Sequence, residues 1–281
     1  MSDSNEIKRE DYEEPACPFC VDQYANEPPK RPIPVRRVID KLGEYLDRND
    51  VAGAERHLLY WEQEALHNRD THGLFTVRNE LMGFYRKAGD REKAMKYADE
   101  ALSLGEKLGI LDRESGATAL VNAATVCKAF GEPERSLELF ERARPVYESE
   151  FAAGDWKLGG LYNNMALTLA DLGRYAESRE LYRLALDAMS AVENSACERA
   201  ITWLNLANLA EAQLGLEDAA EEIEDCLEKA IALFDDPSLA RDGTYAYYCK
   251  QSAPTFRYYG RFADAADLES RAAAIYASND V

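Results

Sequence analysis

Apolar residues recur at intervals of three and four positions from about residue 35 to the end of the chain. This spacing places them on one face of an α-helix, and it continues through helix after helix. No segment shows the apolar–polar alternation between turn residues that indicates a strand. The first 31 residues lack the helical spacing, and six of the ten prolines fall before residue 35. The pattern therefore predicts an all-α fold that follows an irregular or disordered arm over residues 1–31.

A repeating unit organises the helical region. Glycines recur 42 residues apart, with a last interval of 45: Gly89, Gly131, Gly173, Gly215 and Gly260. Each stands between two apolar-periodic segments, where it suits a left-handed turn between two helices. Small residues stand at matching places before the turns: Ala124, Ala166, Ala207 and Ala253. The period predicts a helical domain over 32–281 with six helix pairs, at about 33–70, 71–112, 113–154, 155–194, 195–236 and 237–278.

The recurring residues resemble those of the tetratricopeptide repeat family in its 42-residue form, which is similar to the repeats of kinesin light chain and of many bacterial helical-repeat proteins. The clearest unit reads Tyr162-Asn163-Asn164-Met165-Ala166, followed by Gly173-Arg174-Tyr175. The resemblance covers about 33–278. It implies a right-handed superhelical solenoid whose concave groove, lined by the first helix of each pair, binds a protein or peptide without catalysis. The style of the repeats also suggests a cytoplasmic bacterial protein.

The resemblance implies which side chains face this groove, because the family uses the positions two and three before the small residue. Those positions and their neighbours hold Asn79, Asn122, Asn163, Asn164 and Asn205, with Lys250 and Gln251 in the last repeat. A carboxamide offers a donor and an acceptor, so it can satisfy the N–H and C=O of an extended peptide. The alternative is that these asparagines stay solvated or cap neighbouring turns. Their repeated placement in mid-helix, where asparagine is a weak helix former, favours binding.

The charge balance limits the partner classes. The chain has 52 acidic and 33 basic side chains, a formal net charge of −19 and a pI of about 4.7. Nucleic acids and anionic membranes require a basic surface, so neither is an expected partner. Basic residues near the predicted groove are Arg86, Lys128, Lys250 and Arg257. They would favour an acidic or carboxylate-ended ligand, unless they are only solvated cations.

Cys17-Pro18-Phe19-Cys20 is the other motif that could carry chemistry. A Cys-x-x-Cys pair can supply half of a zinc site or act as a redox pair, but zinc requires two further ligands. The chain has no second such pair, so a zinc site would be shared between two chains in a homo-oligomer or completed by other side chains. The remaining cysteines lie in predicted helices and are interpreted as core residues. Apart from this possible zinc ion, no cofactor is expected.

Three hypotheses for function remain open. The first, a non-enzymatic peptide-binding scaffold, includes a peptide-sensing signalling regulator. The second is a structural assembly that depends on zinc or self-association through the cysteine arm. The third is a thiol enzyme that uses Cys17 and Cys20. No other enzyme class is indicated, because the sequence contains no phosphate-binding loop and no metalloprotease motif. Independently, Ser195 and Glu198 have the spacing of a capping box at the start of a helix.

Overall fold

The structure is a computed structural model and describes residues 31–279. These residues form twelve α-helices and no strand, which confirms the predicted all-α class. The chain divides into two compact units, with the boundary between Ile110 and Leu111. None of the helices in the described part is long and apolar enough to cross a lipid bilayer.

Unit 1 contains four helices, three of which begin at an aspartate cap. They are α1 (Val35–Asp47), α2 (Val51–His67), α3 (Thr71–Ala88) and α4 (Arg91–Leu108). The last three begin after an aspartate whose side chain accepts a hydrogen bond from the N–H of the residue three positions on, at 2.8 to 3.1 Å: Asp50, Asp70 and Asp90. These caps satisfy backbone donors that a helix leaves unpaired in its first turn.

A buried ion pair ties three helices of unit 1 together. The side chain of Glu62 on α2 is almost fully buried and accepts a hydrogen bond from Nε of Arg78 on α3 at 2.9 Å. It also accepts one from the hydroxyl of Tyr97 on α4 at 3.1 Å. The Tyr97 ring stacks on the ring of Tyr85, with 5.6 Å between centroids. A buried carboxylate is tolerated here because both of its oxygens have donors.

Unit 2 contains eight helices arranged as four pairs. They are α5 (Glu114–Ala129), α6 (Pro133–Glu150), α7 (Trp156–Asp171), α8 (Tyr175–Ser190), α9 (Ala196–Leu214), α10 (Ala220–Phe234), α11 (Gly243–Tyr258) and α12 (Phe262–Asn279). Within the unit, helices pack most extensively inside each pair, α5 on α6 through to α11 on α12. The first helices of successive pairs also lie side by side, because α9 contacts both α7 and α11.

The turns inside the pairs use the residues that the period predicted. Five glycines have φ between 71° and 85°, in the region that side-chain-bearing residues seldom adopt: Gly89, Gly131, Gly173, Gly215 and Gly260. Before four of the turns, the predicted small residues are fully buried: Ala124, Ala166, Ala207 and Ala253. A methyl side chain lets the two helices of a pair approach closely. At the Ala166 turn, the Ser178 hydroxyl donates to the Ala166 carbonyl at 2.7 Å and joins α8 to α7.

The predicted capping box before α9 is wrong. Ser195 does precede the helix, but its hydroxyl donates to the backbone carbonyl of Met189 at 2.6 Å, at the end of α8. Its side chain makes no bond to the first turn of α9. Ser195 has ψ near 9°, not the extended backbone that a capping serine needs. Glu198 therefore makes a different contact, with Tyr248 of α11.

Candidate binding cleft

A cleft of about 510 Å³ opens in unit 2, between the first turns of α7 and α9. The loop that joins α8 to α9 forms one wall, and Tyr248 of α11 contributes to another. Its apolar and aromatic lining comprises Trp156, Met189, Val192, Ile201 and Tyr248, with Gly159 and Gly160 in α7. Its polar lining comprises Asn163, Glu193, Asn194, Ser195, Glu198 and Thr202.

Two adjacent glycines of α7 border the cleft and have different roles. At Gly159 an added Cβ would collide with the Met189 thioether, so this glycine allows α7 to pack against the end of α8. At Gly160 an added Cβ would meet no atom within 4 Å. The first glycine therefore serves packing, whereas the second leaves cleft volume that no other side chain fills.

One carboxylate in the cleft is only half satisfied. Oε1 of Glu198 accepts a hydrogen bond from the Tyr248 hydroxyl at 3.0 Å. Oε2 of Glu198 is buried and has no hydrogen-bond donor among residues 31–279. Burial and the neighbouring Glu198 charge raise the pKa of Tyr248 above its ordinary value, so the phenol keeps its proton and remains a donor. The site therefore lacks a donor for its second carboxylate oxygen.

One of the predicted asparagines, Asn163, lines this cleft and is hydrogen-bonded to another, Asn205. Oδ1 of Asn163 accepts a hydrogen bond from Nδ2 of Asn205 at 3.2 Å and one from the Thr202 hydroxyl at 3.3 Å. Nδ2 of Asn163 and Oδ1 of Asn205 have no partner within the described part of the chain. The pair thus presents one donor and one acceptor.

The other predicted asparagines are placed differently. Nδ2 of Asn164 donates to the Gly160 carbonyl at 2.9 Å, within its own helix. Asn122 is half-buried on α5 and is not part of the cleft lining. Asn79 belongs to unit 1, where its Nδ2 lies 3.5 Å from Oε1 of Glu80. Only Asn163, with Asn205 beside it, therefore contributes to the cleft.

The predicted basic residues also lie outside the cleft lining. Nζ of Lys128 is 3.4 Å from Oδ2 of Asp171. The Arg257 guanidinium is 2.7 Å from Oε1 of Glu269. Lys250 and Gln251 are exposed on α11. Arg86 is half-buried on α3 of unit 1. A preference for acidic ligands based on these residues stays a prediction.

Sequence reasoning did not assign Trp156, Glu198 or Tyr248 to a binding cleft. The first two were detectable from the repeat, because Trp156 and Glu198 are 42 residues apart and so occupy equivalent positions. Asn163 and Asn205 have the same separation, and their side chains are hydrogen-bonded. Equivalent positions of successive pairs are therefore neighbours, and this rule would have placed Trp156 next to Glu198. The place of Tyr248 could not be predicted from this rule, because the last interval between turn glycines is 45 residues instead of 42.

The cysteines divide into two groups. Cys17 and Cys20 lie outside the described residues, so the proposed zinc site stays a prediction. The four cysteines inside the described range are buried and form no disulfide bond: Cys127, Cys197, Cys226 and Cys249. Burial raises the pKa of Cys197 to about 12 and that of Cys226 and Cys249 to about 11. Between residues 31 and 279 there is no group of three or more His, Cys, Asp or Glu side chains that could hold a metal ion.

Comparison with known families supports the repeat assignment. A family model described as tetratricopeptide repeat matches residues 74–149, and a second with the same description matches residues 159–192. Among curated proteins, the Arabidopsis thaliana protein KINESIN LIGHT CHAIN-RELATED 3 is 24% identical over 157 residues. The match covers 56% of this chain and 22% of that protein. The chain thus matches about a fifth of the length of this relative.

Solved structures show the same fold. A kinesin light chain with nearly identical repeats from Podosopora anserina aligns with a TM-score of 0.51 and 17% identity, covering 72% of this chain and 94% of that one. BtubC (BKLC) from P. vanneervenii aligns with a TM-score of 0.54 and 18% identity, covering 83% and 92%. These likenesses define a helical-repeat protein. Residues 74–149 and 159–192 match the tetratricopeptide repeat, and the resemblance seen in the sequence is confirmed over these residues.

Proposed function

We propose that the chain is a non-enzymatic module that binds a protein or peptide, and that the cleft of unit 2 is part of its binding surface. Tetratricopeptide repeats are generally protein-interaction repeats, which supports the class of function. The observation that carries the proposal is an open cleft with apolar walls and polar groups that the fold leaves unpartnered. Its volume of about 510 Å³ is within the range of ligand pockets.

The mechanism needs no covalent step. Nδ2 of Asn163 donates to a backbone carbonyl of the ligand, and Oδ1 of Asn205 accepts from a backbone N–H. These groups have no partner in residues 31–279, so binding requires no hydrogen bond of the fold to break. An apolar portion of the ligand packs against Met189 and Ile201 in the cleft wall. The asparagines fix the direction of the main chain, and the walls bind a side chain.

A filled cleft tests this proposal directly. Gly160→Leu places a side chain into the cleft from a position where a Cβ meets nothing within 4 Å. Gly83→Leu is the matched control, because Gly83 is also half-buried within a helix and its Cβ also meets nothing within 4 Å, but it lies in unit 1. A phage-displayed library of random linear peptides is selected on the wild-type chain, and the enriched peptides are then measured on both variants.

We expect the enriched peptides to bind the wild type and Gly83→Leu equally, and to lose binding to Gly160→Leu. Circular dichroism establishes that both variants keep the wild-type helix content. Peptides that bind Gly160→Leu as tightly as the wild type would remove the cleft from the binding surface. A library that yields no enriched peptide on the wild type would contradict the binding function itself.

The role of the asparagines has its own test. Asn163→Ala combined with Asn205→Ala removes the unpartnered donor and acceptor together. Asn164→Ala is the control, because the Asn164 amide donates to its own helix at Gly160. We expect the double variant to weaken peptide binding by about tenfold and the control to change it little. If both variants weaken peptide binding equally, the loss comes from replacing asparagine in a helix and not from the unpartnered donor and acceptor.

A further inference from the structure

The charged groups in the cleft all have one sign. Glu193 and Glu198 line it, and its described lining contains no lysine, arginine or histidine. The field of the whole chain acts in the same direction, because the formal net charge is −19. A positively charged ligand group is therefore attracted to this cleft both at long range and on contact.

A comparison on the same helix shows that Glu198 is unusual. Glu198 and Glu211 both lie on α9, and both accept hydrogen bonds from tyrosines of the last repeat. Glu211 uses both oxygens, at 2.6 Å from the Tyr258 hydroxyl and 2.8 Å from the Tyr259 hydroxyl. Glu198 uses only Oε1, and its Oε2 is buried without a donor in the described chain. A buried acceptor left unpaired costs free energy that an incoming donor recovers.

An aromatic ring at the cleft is also available. The Trp156 residue is 62% exposed at the start of α7. Two other aromatic rings of unit 2 already have a lysine of the chain over them. Nζ of Lys157 lies 4.1 Å from the centroid of the Phe151 ring, and Nζ of Lys229 lies 4.5 Å from the centroid of the Trp203 ring. Lys157 follows Trp156 directly but also pairs with Glu114 at 2.8 Å. No cation of residues 31–279 lies over Trp156.

We propose that the cleft of unit 2 binds a cationic side chain of the partner, with arginine preferred over lysine. This inference rests on the proposed function. Trp156, Glu198 and Ile201 all line this cleft, and an arginine side chain offers donors for the carboxylate, a planar face for the indole and a methylene stem for the apolar wall. An ammonium group makes the ion pair but lacks the planar face. The sequence-based expectation of an acidic ligand arises from residues outside this cleft, and the cleft has the opposite preference.

Three matched tripeptides serve as probes, each N-acetylated and C-amidated: Ala-Arg-Ala, its citrulline analogue, and Ala-Glu-Ala. Citrulline keeps the shape of arginine but removes its charge. Binding is followed on the full ¹⁵N-labelled chain through the indole N–H signals of tryptophan. The Trp156 signal reports the cleft, whereas the Trp61 and Trp203 signals report adventitious binding of a cation elsewhere on this acidic chain.

We expect the arginine peptide to shift the Trp156 signal in a saturable way and to leave Trp61 and Trp203 unchanged. The citrulline peptide should bind about tenfold more weakly, because it loses a charge-assisted hydrogen bond. Glu198→Gln should remove this difference between the two peptides, since it keeps the shape of the side chain and its bond to Tyr248. Glu211→Gln, the matched control on the same helix, should preserve the difference.

Equal binding of the arginine and citrulline peptides would overturn the inference, as would tighter binding of the glutamate peptide. Retention of the arginine preference in Glu198→Gln would also overturn the role of that carboxylate. These failures are distinct from failure of the proposed function. If library peptides bind the wild type but not Gly160→Leu, and they show no enrichment of arginine, the cleft binds peptides and only its charge preference is refuted.

Discussion

Asp70 holds two parts of unit 1 together with one buried carboxylate. Oδ1 accepts a hydrogen bond from the Gly73 N–H at 2.9 Å and thereby caps α3. Oδ2 accepts one from the Ile33 N–H at 2.8 Å, which fixes the segment that leads into α1. Asp70 is 5% exposed and Ile33 is 6% exposed, so water cannot replace either bond without opening the structure. We expect Asp70→Ala to destabilise unit 1 strongly.

The expected loss follows from the two bonds separately. Removal of a helix N-cap costs about 1 kcal/mol. A buried N–H left without an acceptor, here that of Ile33, costs about 1–3 kcal/mol. Together they predict a loss of about 2–4 kcal/mol, a large part of the roughly 5–15 kcal/mol that stabilises a typical domain.

Asp90→Ala is the control that separates these contributions. Asp90 caps α4 by accepting from the Lys93 N–H at 3.1 Å, in an exposed position. It should therefore cost only the capping contribution, about 1 kcal/mol or less. Hydrogen–deuterium exchange measures local free energies of opening, which suits a repeat protein whose helix pairs need not unfold together. Chemical denaturation followed by circular dichroism gives the global value.

Asp70→Asn tests the second bond alone. Asparagine is as good a cap as aspartate, but only one of its two terminal atoms accepts a hydrogen bond. The Ile33 amide should then exchange faster, while the first turn of α3 stays protected. If Asp70→Ala costs no more than Asp90→Ala, or if Asp70→Asn leaves exchange at Ile33 unchanged, the bond from Ile33 contributes nothing and the reasoning is refuted.

Two further predictions concern titratable groups. The first uses a variant in which serine replaces Cys17 and Cys20. Its remaining thiols should react with Ellman's reagent at about pH 8 only as the chain unfolds, because burial raises the pKa of thiols such as Cys197. Fast reaction of any remaining thiol in the folded chain would contradict this prediction. Burial also raises the pKa of Tyr85 and Tyr97, so their contribution to stability is complete below about pH 10 and is lost as the pH rises further. Tyrosinate absorbance should therefore complete its rise only together with loss of helical circular dichroism, and full ionisation of an intact fold would refute the prediction.

The fold was largely predictable because its determinants are local. A glycine at a left-handed turn, such as Gly131 or Gly173, is required by backbone geometry and is visible in a single sequence. The alanines before the turns are required by the distance between two helices of one pair, which are adjacent in the chain. Neither feature depends on contacts between distant segments. The period of 42 residues is therefore sufficient to predict where the two helices of a pair meet.

The prediction of a capping box was wrong because local and tertiary hydrogen bonds compete for the same side chains. The Ser195 hydroxyl could accept from the first turn of α9 or donate to the Met189 carbonyl, and the structure contains the second bond. Glu198 likewise bonds to Tyr248, 50 residues away. Local spacing contains no information about either alternative partner. The same reason explains why the contact between Glu198 and Tyr248 was not visible in the sequence pattern.

The period nevertheless contains a signal for the cleft itself. Residues 117–118, 159–160 and 201–202 are equivalent positions, because they are separated by 42 residues. They read Ala-Thr, Gly-Gly and Ile-Thr, so the middle pair of helices lacks side chains where its neighbours have them. Because equivalent positions of neighbouring pairs adjoin, as Asn163 and Asn205 do, the missing side chain at Gly160 leaves a space beside Ile201 and Thr202. Gly160, which does not follow the 42-residue spacing of the turn glycines, therefore marks this cleft in the sequence, whereas the regularly spaced glycines mark turns.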